Sequence, residues 1–368
     1  MHIQSRKKQR GFSLVEILVG AAIGLIGMVV IFQVLAVSES RKRTTAAGSD
    51  TQINGAIALY ALERDLRLAG YGFSTAPTLE LGCSVSAFTT TRGAFSFPLL
   101  PVQIVQGAAG APDSLNVLWG NSSLFVNVQT FSASTGTTKT TQSRAGLQPG
   151  DLVVVTGTIG ATMTCALQEI TDDGTNTVTI THAAGAAYTN AAGTPVPAAT
   201  HNPATPPAFV NGKIYNLGPS PRRNIWSVSG TSLTFHDDIT NGAAVSAADS
   251  IIDFQAEYGI DVDGNGLISA TEWRTVDPSA ADWPKVRAIR VALLSRSGQY
   301  EKDPVTTTAP TWIGNSMPTG AANNSFVMRN VDGTADSNPA GPNNWRNYRY
   351  RVHEAVIPLR NVIWGTAP

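Results

Sequence analysis

An uncharged apolar run near the amino terminus constrains this chain more than any other feature. It extends over 21 residues, Ile17–Val37. As a helix with a rise of about 1.5 Å per residue it is roughly 31 Å long, close to the ~30 Å hydrocarbon core of a bilayer. A basic stretch with Arg6, Lys7, Lys8 and Arg10 precedes it. The run therefore predicts one membrane-spanning helix at the start of the chain.

One acidic residue, Glu16, lies at the beginning of this apolar run. An ionised side chain costs about 2.5–3.5 kcal/mol at the centre of a bilayer, so an acid here is a candidate functional residue. A structural alternative stays open, because Ser13 and Glu16 have the spacing of a capping box and an acid suits the first turn of a helix. A secretory signal has its small-residue cleavage site after the apolar region. Here the candidate processing residue, Gly11, precedes that region.

The segment Gly11-Phe12-Ser13-Leu14-Val15-Glu16 resembles the leader motif of type IV prepilins and type II secretion pseudopilins. The resemblance implies that a prepilin peptidase cuts between Gly11 and Phe12, and that Phe12 becomes an N-methylated amino terminus. It also implies that Glu16 neutralises the Phe12 amine of a neighbouring subunit during assembly. The alternative is an ordinary signal anchor whose leader is not removed.

Charge distribution constrains the partners and the topology. The leader through Gly11 holds four of the 26 basic residues and no acid, so the remainder has 22 basic against 26 acidic residues, a net charge of −4. This balance argues against nucleic acid as a partner. Four basic residues precede the apolar run and three follow it at 41–43, so the positive-inside rule favours a cytoplasmic amino terminus by one residue. We expect a single-pass membrane protein with its bulk outside the cytoplasm. The resemblance to prepilins implies that the membrane is the inner membrane, that the bulk lies in the periplasm and that the protein later moves into an extracellular pilus.

The chain contains two cysteines, Cys83 and Cys165. In an extracytoplasmic domain, two cysteines most simply form a disulfide. A disulfide that closes so long a loop stabilises by roughly 4–5 kcal/mol in the chain-entropy model. A metal site with only these two ligands would be under-coordinated.

The pattern after the membrane run predicts a continuous helix and then short strands. Helical spacing of apolar residues continues to about Leu68, with Gly70 as the candidate C-cap. The spacing forms two stripes, as for a helix packed on a sheet and on other helices: Ile53, Ala56, Ile57 and Tyr60, and Leu59, Leu62, Leu66 and Ala69. Predicted strands are Ser114–Trp119, Leu124–Thr130, Asp151–Thr156, Cys165–Ile170, Thr177–Thr181, Lys213–Leu217, Ile225–Val228, Ser232–His236, Ile251–Tyr258, Val286–Ser295 and Tyr348–Leu359.

Turn and loop signals separate these strands. The segments 172–176 and 229–231 are predicted hairpin connections. The segments 132–146, 183–208 and 303–344 are predicted surface loops. The fold class is therefore α+β, a long and partly transmembrane amino-terminal helix followed by a mostly antiparallel β domain, which is also the pilin layout. The expected divisions are 1–11, the class III leader; 12–37, the transmembrane and assembly helix; 38–69, its periplasmic continuation; and 70–368, the β-rich domain.

Four later segments resemble the PilW family of type IV pilus minor pilins: Leu62–Tyr71, Gly150–Val155, Val286–Arg296 and Arg351–Asn361. The resemblance implies a role in priming assembly or in forming the filament tip, with consequences for twitching motility and adhesion. Other minor pilins, the major pilin and a tip adhesin are the implied partners. Two alternatives are a GspJ-like minor pseudopilin of a type II secretion system and a membrane-anchored, calcium-dependent surface binding protein.

A twelve-residue loop, 261–272, fits the ligand template of an EF-hand calcium site. Position 6, where the chain turns sharply, is Gly266. The candidate ligands are Asp261, Asp263 and Asn265 through side-chain oxygens, Leu267 through its carbonyl, Ser269 through a water molecule and Glu272 through both carboxylate oxygens. Three anionic ligands predict a structural Ca²⁺ ion bound with a modest dissociation constant of roughly 10⁻⁴–10⁻³ M. The alternative is a solvated hairpin turn, because a strand is predicted before the loop and Pro278 leaves little room for a helix after it.

No catalytic motif is evident in the sequence. It contains no Gly-x-Ser-x-Gly, no His-Glu-x-x-His and no phosphate-binding glycine loop followed by Lys-Ser or Lys-Thr. The five histidines are scattered along the chain. We therefore expect an assembly protein rather than an enzyme.

The leader motif makes a prediction about the mature protein. Intact-mass spectrometry of the protein purified from its own membranes should give a chain that begins at Phe12 and carries one added methyl group. A Gly11→Asp variant should retain residues 1–11, because the resemblance places the cut directly after Gly11. A wild-type mass that includes the leader would favour the signal-anchor alternative.

Overall fold

The computed structural model describes residues 11–73, 80–124, 128–160, 162–315 and 324–365. The chain divides into two compact units, Met1–Asp50 and Thr51–Pro368. Helix α1 (Leu14–Leu68) contributes its amino-terminal residues to the first unit and Thr51–Leu68 to the second. The second unit also holds the strands and a short carboxy-terminal helix, α2 (Arg360–Gly365). The basic residues of the predicted leader, 6–10, lie outside the described part of the chain.

The strands form three larger sheets and one two-stranded pair. They are β1 Ser84–Thr89, β2 Gly93–Pro98, β3 Val102–Val105, β4 Ser114–Trp119, β5 Gln129–Ser134, β6 Thr138–Thr141, β7 Leu152–Ile159, β8 Thr162–Glu169, β9 Thr179–Thr181, β10 Tyr188–Thr189, β11 Pro195–Val196, β12 Gly212–Gly218, β13 Arg222–Ser229, β14 Ser232–Asp237, β15 Val245–Asp249, β16 Ile251–Ile260, β17 Trp273–Arg274, β18 Val286–Arg296 and β19 Tyr350–Pro358.

The strand order is β2-β1-β8-β7-β12-β5-β6-β9 in the first sheet, β15-β14-β13-β4-β3 in the second and β17-β16-β18-β19 in the third, with β10-β11 as the pair. Neighbouring described strands run antiparallel except for β1 and β8, which pair in parallel at Val85 and Cys165. The predicted α+β class, with a long apolar helix before a mostly antiparallel β domain, is confirmed.

The two predicted apolar stripes at the end of α1 differ in burial. Leu62, Leu66 and Ala69 are fully buried in the main core, whereas Ile57 and Tyr60 remain 49% and 68% exposed. The helix ends at Leu68, as the spacing predicted. The predicted C-cap Gly70 has a φ of +80°, a conformation that glycine adopts without a steric penalty.

Asp65 fixes this part of α1 to the second sheet. Its carboxylate is 6% exposed and accepts hydrogen bonds from the indole N–H groups of Trp119 and Trp226, both at 2.7 Å. The Asn224 amide also donates to it, at 3.0 and 3.2 Å. Burial raises the pKa of Asp65, and these donors partly offset that effect. Because β4 and β13 are neighbours in one sheet, a single carboxylate holds the helix against both strands.

The predicted disulfide is present in the structure. Cys83 and Cys165 are bonded, with their Cα atoms 6.2 Å apart. The bond joins the segment before β1 to β8, next to the parallel pairing of these strands. It therefore holds β1 against β8, one strand in from the edge of the first sheet, where the loop-closure entropy of a separation of 82 residues would oppose pairing.

Several predictions from turn composition were wrong. The segment 172–176 is not a β-hairpin, because β9 pairs with β6 and the Asp172 carboxylate accepts the Thr181 N–H at 2.9 Å. The predicted loop 132–146 contains β6, where β-branched threonines favour a strand despite their polarity. The predicted loop 183–208 contains β10 and β11. The strand predicted at Leu124–Thr130 falls partly on 125–127, outside the described residues, and β5 begins at Gln129.

The hairpin predicted at 229–231 is confirmed. It joins β13 to β14, and Gly230 at its centre has a φ of +62°. Strands β1, β2 and β3 had no counterpart among the predicted strands. In β1 the inward positions are filled by Val85, Ala87 and Thr89, which are smaller and less apolar than the residues that mark the later strands.

Lys139 is buried beside a second hydrophobic core, which is formed largely by residues of the first sheet such as Val153, Ile180 and Ile214. Its side chain has no exposed surface, and its Nζ makes no hydrogen bond to any residue that the structure describes. It points into the same core as its cross-strand neighbour Ile180, and Nζ lies 5.7 Å from the centre of the Phe209 ring. Burial lowers the pKa of Lys139 to about 7. Burial and the nearby Lys139 also hold the pKa of His182 well below its usual value.

We predict that Asp65→Ala destabilises the β domain by about 2–4 kcal/mol, because two buried indole donors and one amide lose their acceptor. Urea unfolding of the oxidised full-length protein in detergent measures this loss. Gln52→Ala, on an exposed turn of the same helix, is the matched control and should change stability by less than about 0.5 kcal/mol. Equal stability of the two variants would show that the Asp65 hydrogen bonds contribute little.

We predict that Lys139→Met stabilises the protein and that the gain depends on pH. The unfolded lysine binds a proton up to about pH 10.4, whereas the folded one loses it near pH 7. The cost of burying Lys139 is therefore complete below about pH 7 and disappears above about pH 10.4, so the gain should be about 2–4 kcal/mol larger at pH 6 than at pH 10. The exposed Lys302→Met is the control. A gain that is independent of pH would contradict the lowered pKa.

Candidate functional site

The amino-terminal part of α1 forms the first candidate site. Its apolar side chains are exposed in the isolated chain, with Phe12 at 80% and Phe32 at 64%. Among the described residues, α1 is the one helix long and apolar enough to cross a bilayer. Glu16 lies in its first turn, and the first helical hydrogen bond runs from Ile17 N–H to the Ser13 carbonyl at 3.2 Å. Gly11 lies three residues before the helix, outside regular secondary structure.

The 261–272 loop forms the second candidate site and connects β16 to β17. Oxygen atoms of Asp261, Asp263 and Glu272 all lie within 4.8 Å of one another. The sequence therefore predicted correctly that these three carboxylates converge. Gly264 and Gly266 have φ values of +74° and +80°, which allow the chain to turn tightly around the cluster.

Asp261 is the buried member of the cluster. Its side chain is 2% exposed, and Oδ2 accepts the Gly266 N–H at 3.1 Å. The other oxygen, Oδ1, accepts no hydrogen bond from any described residue. A buried carboxylate oxygen without a donor is unfavourable, since its lost hydration is not replaced.

Glu272 brings the two ends of the loop together. Its Oε1 accepts the Val262 N–H at 2.9 Å and its Oε2 accepts the Ser269 N–H at 2.8 Å. These hydrogen bonds, with that of Ser269 the largest contribution, lower the pKa of Glu272. The carboxylate is therefore ionised at neutral pH.

The remaining predicted ligands lie along the exposed side of the loop. Asp263 accepts from the backbone and side-chain amides of Asn265 at 3.1 and 2.8 Å, and Asn265 Oδ1 accepts the Leu267 N–H at 2.7 Å. The Ser269 hydroxyl lies 3.1 Å from the Thr271 hydroxyl. These hydrogen bonds hold the loop compactly, with its oxygen-bearing side chains close to one another.

The surroundings of the loop differ from those of an EF-hand. A strand, β16, enters it, and one 3₁₀ turn, Ala270–Glu272, is followed directly by β17. Ile268 and Trp273 pack so closely on Gly259 that a Cβ added there would lie 2.7 and 2.9 Å from their side chains. The Trp273 ring also covers the Arg290 guanidinium at 4.3 Å, and Arg290 forms a buried ion pair with Glu257. The loop is thus seated on the third sheet.

Sequence reasoning missed Arg287, which belongs to this site. Its Nε lies 3.7 Å from Asp261 Oδ2. Asp261 and Arg287 are 26 positions apart in the sequence, and only the pairing of Ile260 with Val286 in adjacent strands brings them together. An arginine on a strand is a common feature, so the sequence carries no local signal for this contact.

Two family models support the pilin interpretation. Residues 6–32 match the family model of the prokaryotic N-terminal methylation motif, and residues 227–361 match that of Type IV Pilus-assembly protein W. A search of the curated proteins gives no match. Among solved structures, the chain is similar to the type IV-like pilin TTHA1219 from Thermus thermophilus. The identity is 10%, over 83% of this chain and 94% of that chain, with a TM-score of 0.29.

A prepilin-type motif followed by a long apolar helix and an antiparallel β domain defines the pilin class. Within this class, the two family matches indicate a type IV pilus minor pilin of the PilW family. The second match includes strands β14–β19 and therefore the 261–272 loop. The two matches imply contact with other pilins and with a prepilin peptidase in general, and the amino-terminal motif indicates membrane anchoring and pilus assembly.

Proposed function

We propose that this minor pilin primes assembly of a type IV pilus or forms part of the filament tip. The amino-terminal motif and the exposed apolar part of α1 support this role. Prepilin peptidase would cut between Gly11 and Phe12, and the new Phe12 amine would be methylated. The helix would hold the protein in the inner membrane with its bulk in the periplasm, until it moves into the extracellular filament. The protein would act through assembly and perform no catalysis.

Glu16 would direct the packing of α1 in the filament. Lipid tails are as apolar as the helix itself, so apolar burial alone gives helices little reason to associate in a bilayer. An amine and a carboxylate in hydrocarbon each carry a large desolvation cost, which falls when they pair. Pairing of Glu16 with the Phe12 amine of the next subunit would therefore both favour association and set the stagger between helices.

Small residues on α1 would allow the helices to approach closely. Gly20 and Gly24 are four residues apart and lie on one face, and a Cβ added at either would meet no described atom within 4 Å. Such spacing of small residues is typical of closely packed membrane helices. The helices of neighbouring pilins could then contact each other through bare backbone on this face.

The size of the β domain favours a position at the tip. The unit Thr51–Pro368 carries long segments in which the described residues form no regular strand, such as 303–315 and 324–344. A subunit in the shaft must accommodate copies on all sides, whereas a subunit at the tip has one side exposed. We further propose that a tip adhesin and other minor pilins are its partners, and that the 261–272 loop holds a structural Ca²⁺ ion, as argued below.

Replacement of Glu16 tests this proposal. In a host strain that lacks this chain, wild type and Glu39→Ala should restore piliation and twitching, and Glu16→Ala should reduce sheared pili by roughly ten-fold or more, because an unpaired amine costs about 2.5–3.5 kcal/mol in hydrocarbon. Glu39 is a suitable control because it is an exposed acid on the same helix that pairs with Arg43.

The same strains distinguish a pilus subunit from a type II secretion pseudopilin. Immunoblots of membranes must contain equal amounts of each variant, so that a loss of pili reports assembly and not expression. If Glu16→Ala assembled as well as wild type, the proposal would fail. Normal piliation together with loss of protein secretion in the deletion strain would instead indicate a GspJ-like pseudopilin.

A further inference from the structure

We propose that the 261–272 loop is a single Ca²⁺ site in which the buried Asp261 supplies the central ligand and Arg287 limits the affinity. The inference deepens the calcium role of the proposed function, but it concerns the β domain alone and is independent of assembly into a pilus. It rests on a buried oxygen without a partner, on the charge of the cluster and on how the loop is attached to its sheet.

The unpartnered oxygen of Asp261 is the observation that points to a cation. In a turn held only by its own hydrogen bonds, a carboxylate that is 2% exposed would be expected to use both oxygens. Here Oδ2 accepts from Gly266 and Oδ1 accepts from no described residue. A metal ion bound at Oδ1 would replace the lost hydration, and two further carboxylates lie within 4.8 Å to complete its ligands.

The residues present fit the requirements of Ca²⁺. This ion takes six to eight oxygens at about 2.3–2.6 Å with flexible geometry. Asp261, Asp263, Asn265 and the two oxygens of Glu272 would provide five, the Leu267 carbonyl a sixth, and a water on Ser269 a seventh. Each carboxylate oxygen has two lone pairs, so Glu272 can bind the ion while it keeps its hydrogen bonds to the Val262 and Ser269 amides. Mg²⁺ prefers a smaller, octahedral arrangement with several retained waters, which this ligand set does not favour.

Arg287 sets the charge of the site. Three carboxylates carry −3, and the guanidinium at 3.7 Å from Asp261 Oδ2 reduces the total to −2. A divalent cation then neutralises the site without leaving excess charge beside the buried Asp261. The positive charge of Arg287 also repels the incoming ion, so it should weaken calcium binding.

Calcium bound here would act on the third sheet. The loop joins β16 to β17, which is only two residues long and pairs through Tyr258–Arg274 and Gly259–Trp273. Trp273 in turn covers the buried Glu257–Arg290 ion pair. By fixing the loop ends between Asp261 and Glu272, the ion would hold this short edge strand and its tryptophan in place.

Calorimetric titration of the full-length protein in detergent, after removal of bound metal, tests the site. We expect one Ca²⁺ per chain with a dissociation constant of roughly 10⁻⁴–10⁻³ M and much weaker binding of Mg²⁺. Terbium, a luminescent substitute for calcium, should give emission sensitised by the nearby Trp273, and Ca²⁺ should displace it. At saturating Ca²⁺ the thermal midpoint should rise by about 2–4 °C relative to chelator.

Four variants make the test specific. Asp261→Asn and Glu272→Gln should weaken binding by about ten-fold or more, since each removes one of three anionic ligands. Arg287→Gln should tighten it by about two- to ten-fold, since it removes a like charge. Asp173→Asn is the matched control, because Asp173 occupies a similar exposed turn, in which it accepts a hydrogen bond from the Thr175 amide at 3.0 Å. This variant should bind Ca²⁺ as tightly as wild type.

The folded state of each variant is checked by its thermal midpoint in chelator. There Asp261→Asn should be at least as stable as wild type, because it removes a buried charge, and it should lose the gain on adding Ca²⁺. The inference would be overturned by identical titrations of wild type and Asp261→Asn, by weaker binding in Arg287→Gln, or by equal midpoints of wild type in Ca²⁺ and chelator. None of these outcomes affects the Glu16 assembly test, so the two proposals fail separately.

Discussion

The hydrogen bonds to Asp65 join the amino-terminal helix to the β domain. Apart from Thr51 and Asp65, the buried residues of α1 within Thr51–Leu68 are apolar or glycine, and apolar contacts alone would permit small rotations and shifts of the helix. A carboxylate that accepts from two indoles and one amide permits one position only, since each donor has a defined direction. Asp65 therefore fixes the position of Thr51–Leu68 against strands β4 and β13.

Asp65, Glu16 and Asp261 differ in what compensates the charge of the carboxylate. Asp65 receives its compensation from donors within the domain. For Glu16 we propose that it comes from the amine of a neighbouring subunit, and for Asp261 from a divalent cation. The cause is the same in each case, because a carboxylate removed from water must find donors or positive charge elsewhere. A carboxylate oxygen that its own chain leaves unsatisfied, such as Asp261 Oδ1 among the described residues, therefore points to a partner outside the chain.

The sequence predicted some elements accurately and others poorly. Helix α1 and strands such as β4, β16 and β18 were recognised because apolar residues recur at the period of the element. Strands β1 and β6 were missed because serine, threonine and alanine fill them, so that their burial follows from the sheet around them. The acidic segment 172–176 was misread as a hairpin, because its aspartates form hydrogen bonds that replace a strand ladder. Lys139 carries no sequence signal of burial at all.

The sequence by itself determined the membrane helix, the processing motif, the spacing of the calcium-type ligands and the two cysteines. These features depend on residues that are close along the chain or on the number of residues of one kind, so a linear reading is sufficient. Tertiary structure alone decided that Asp65 meets Trp119 and Trp226, and that Arg287 lies beside Asp261. It also decided that one oxygen of Asp261 accepts no hydrogen bond from any described residue. Such contacts join residues far apart in sequence, and they form only when strand pairing and helix packing place them side by side.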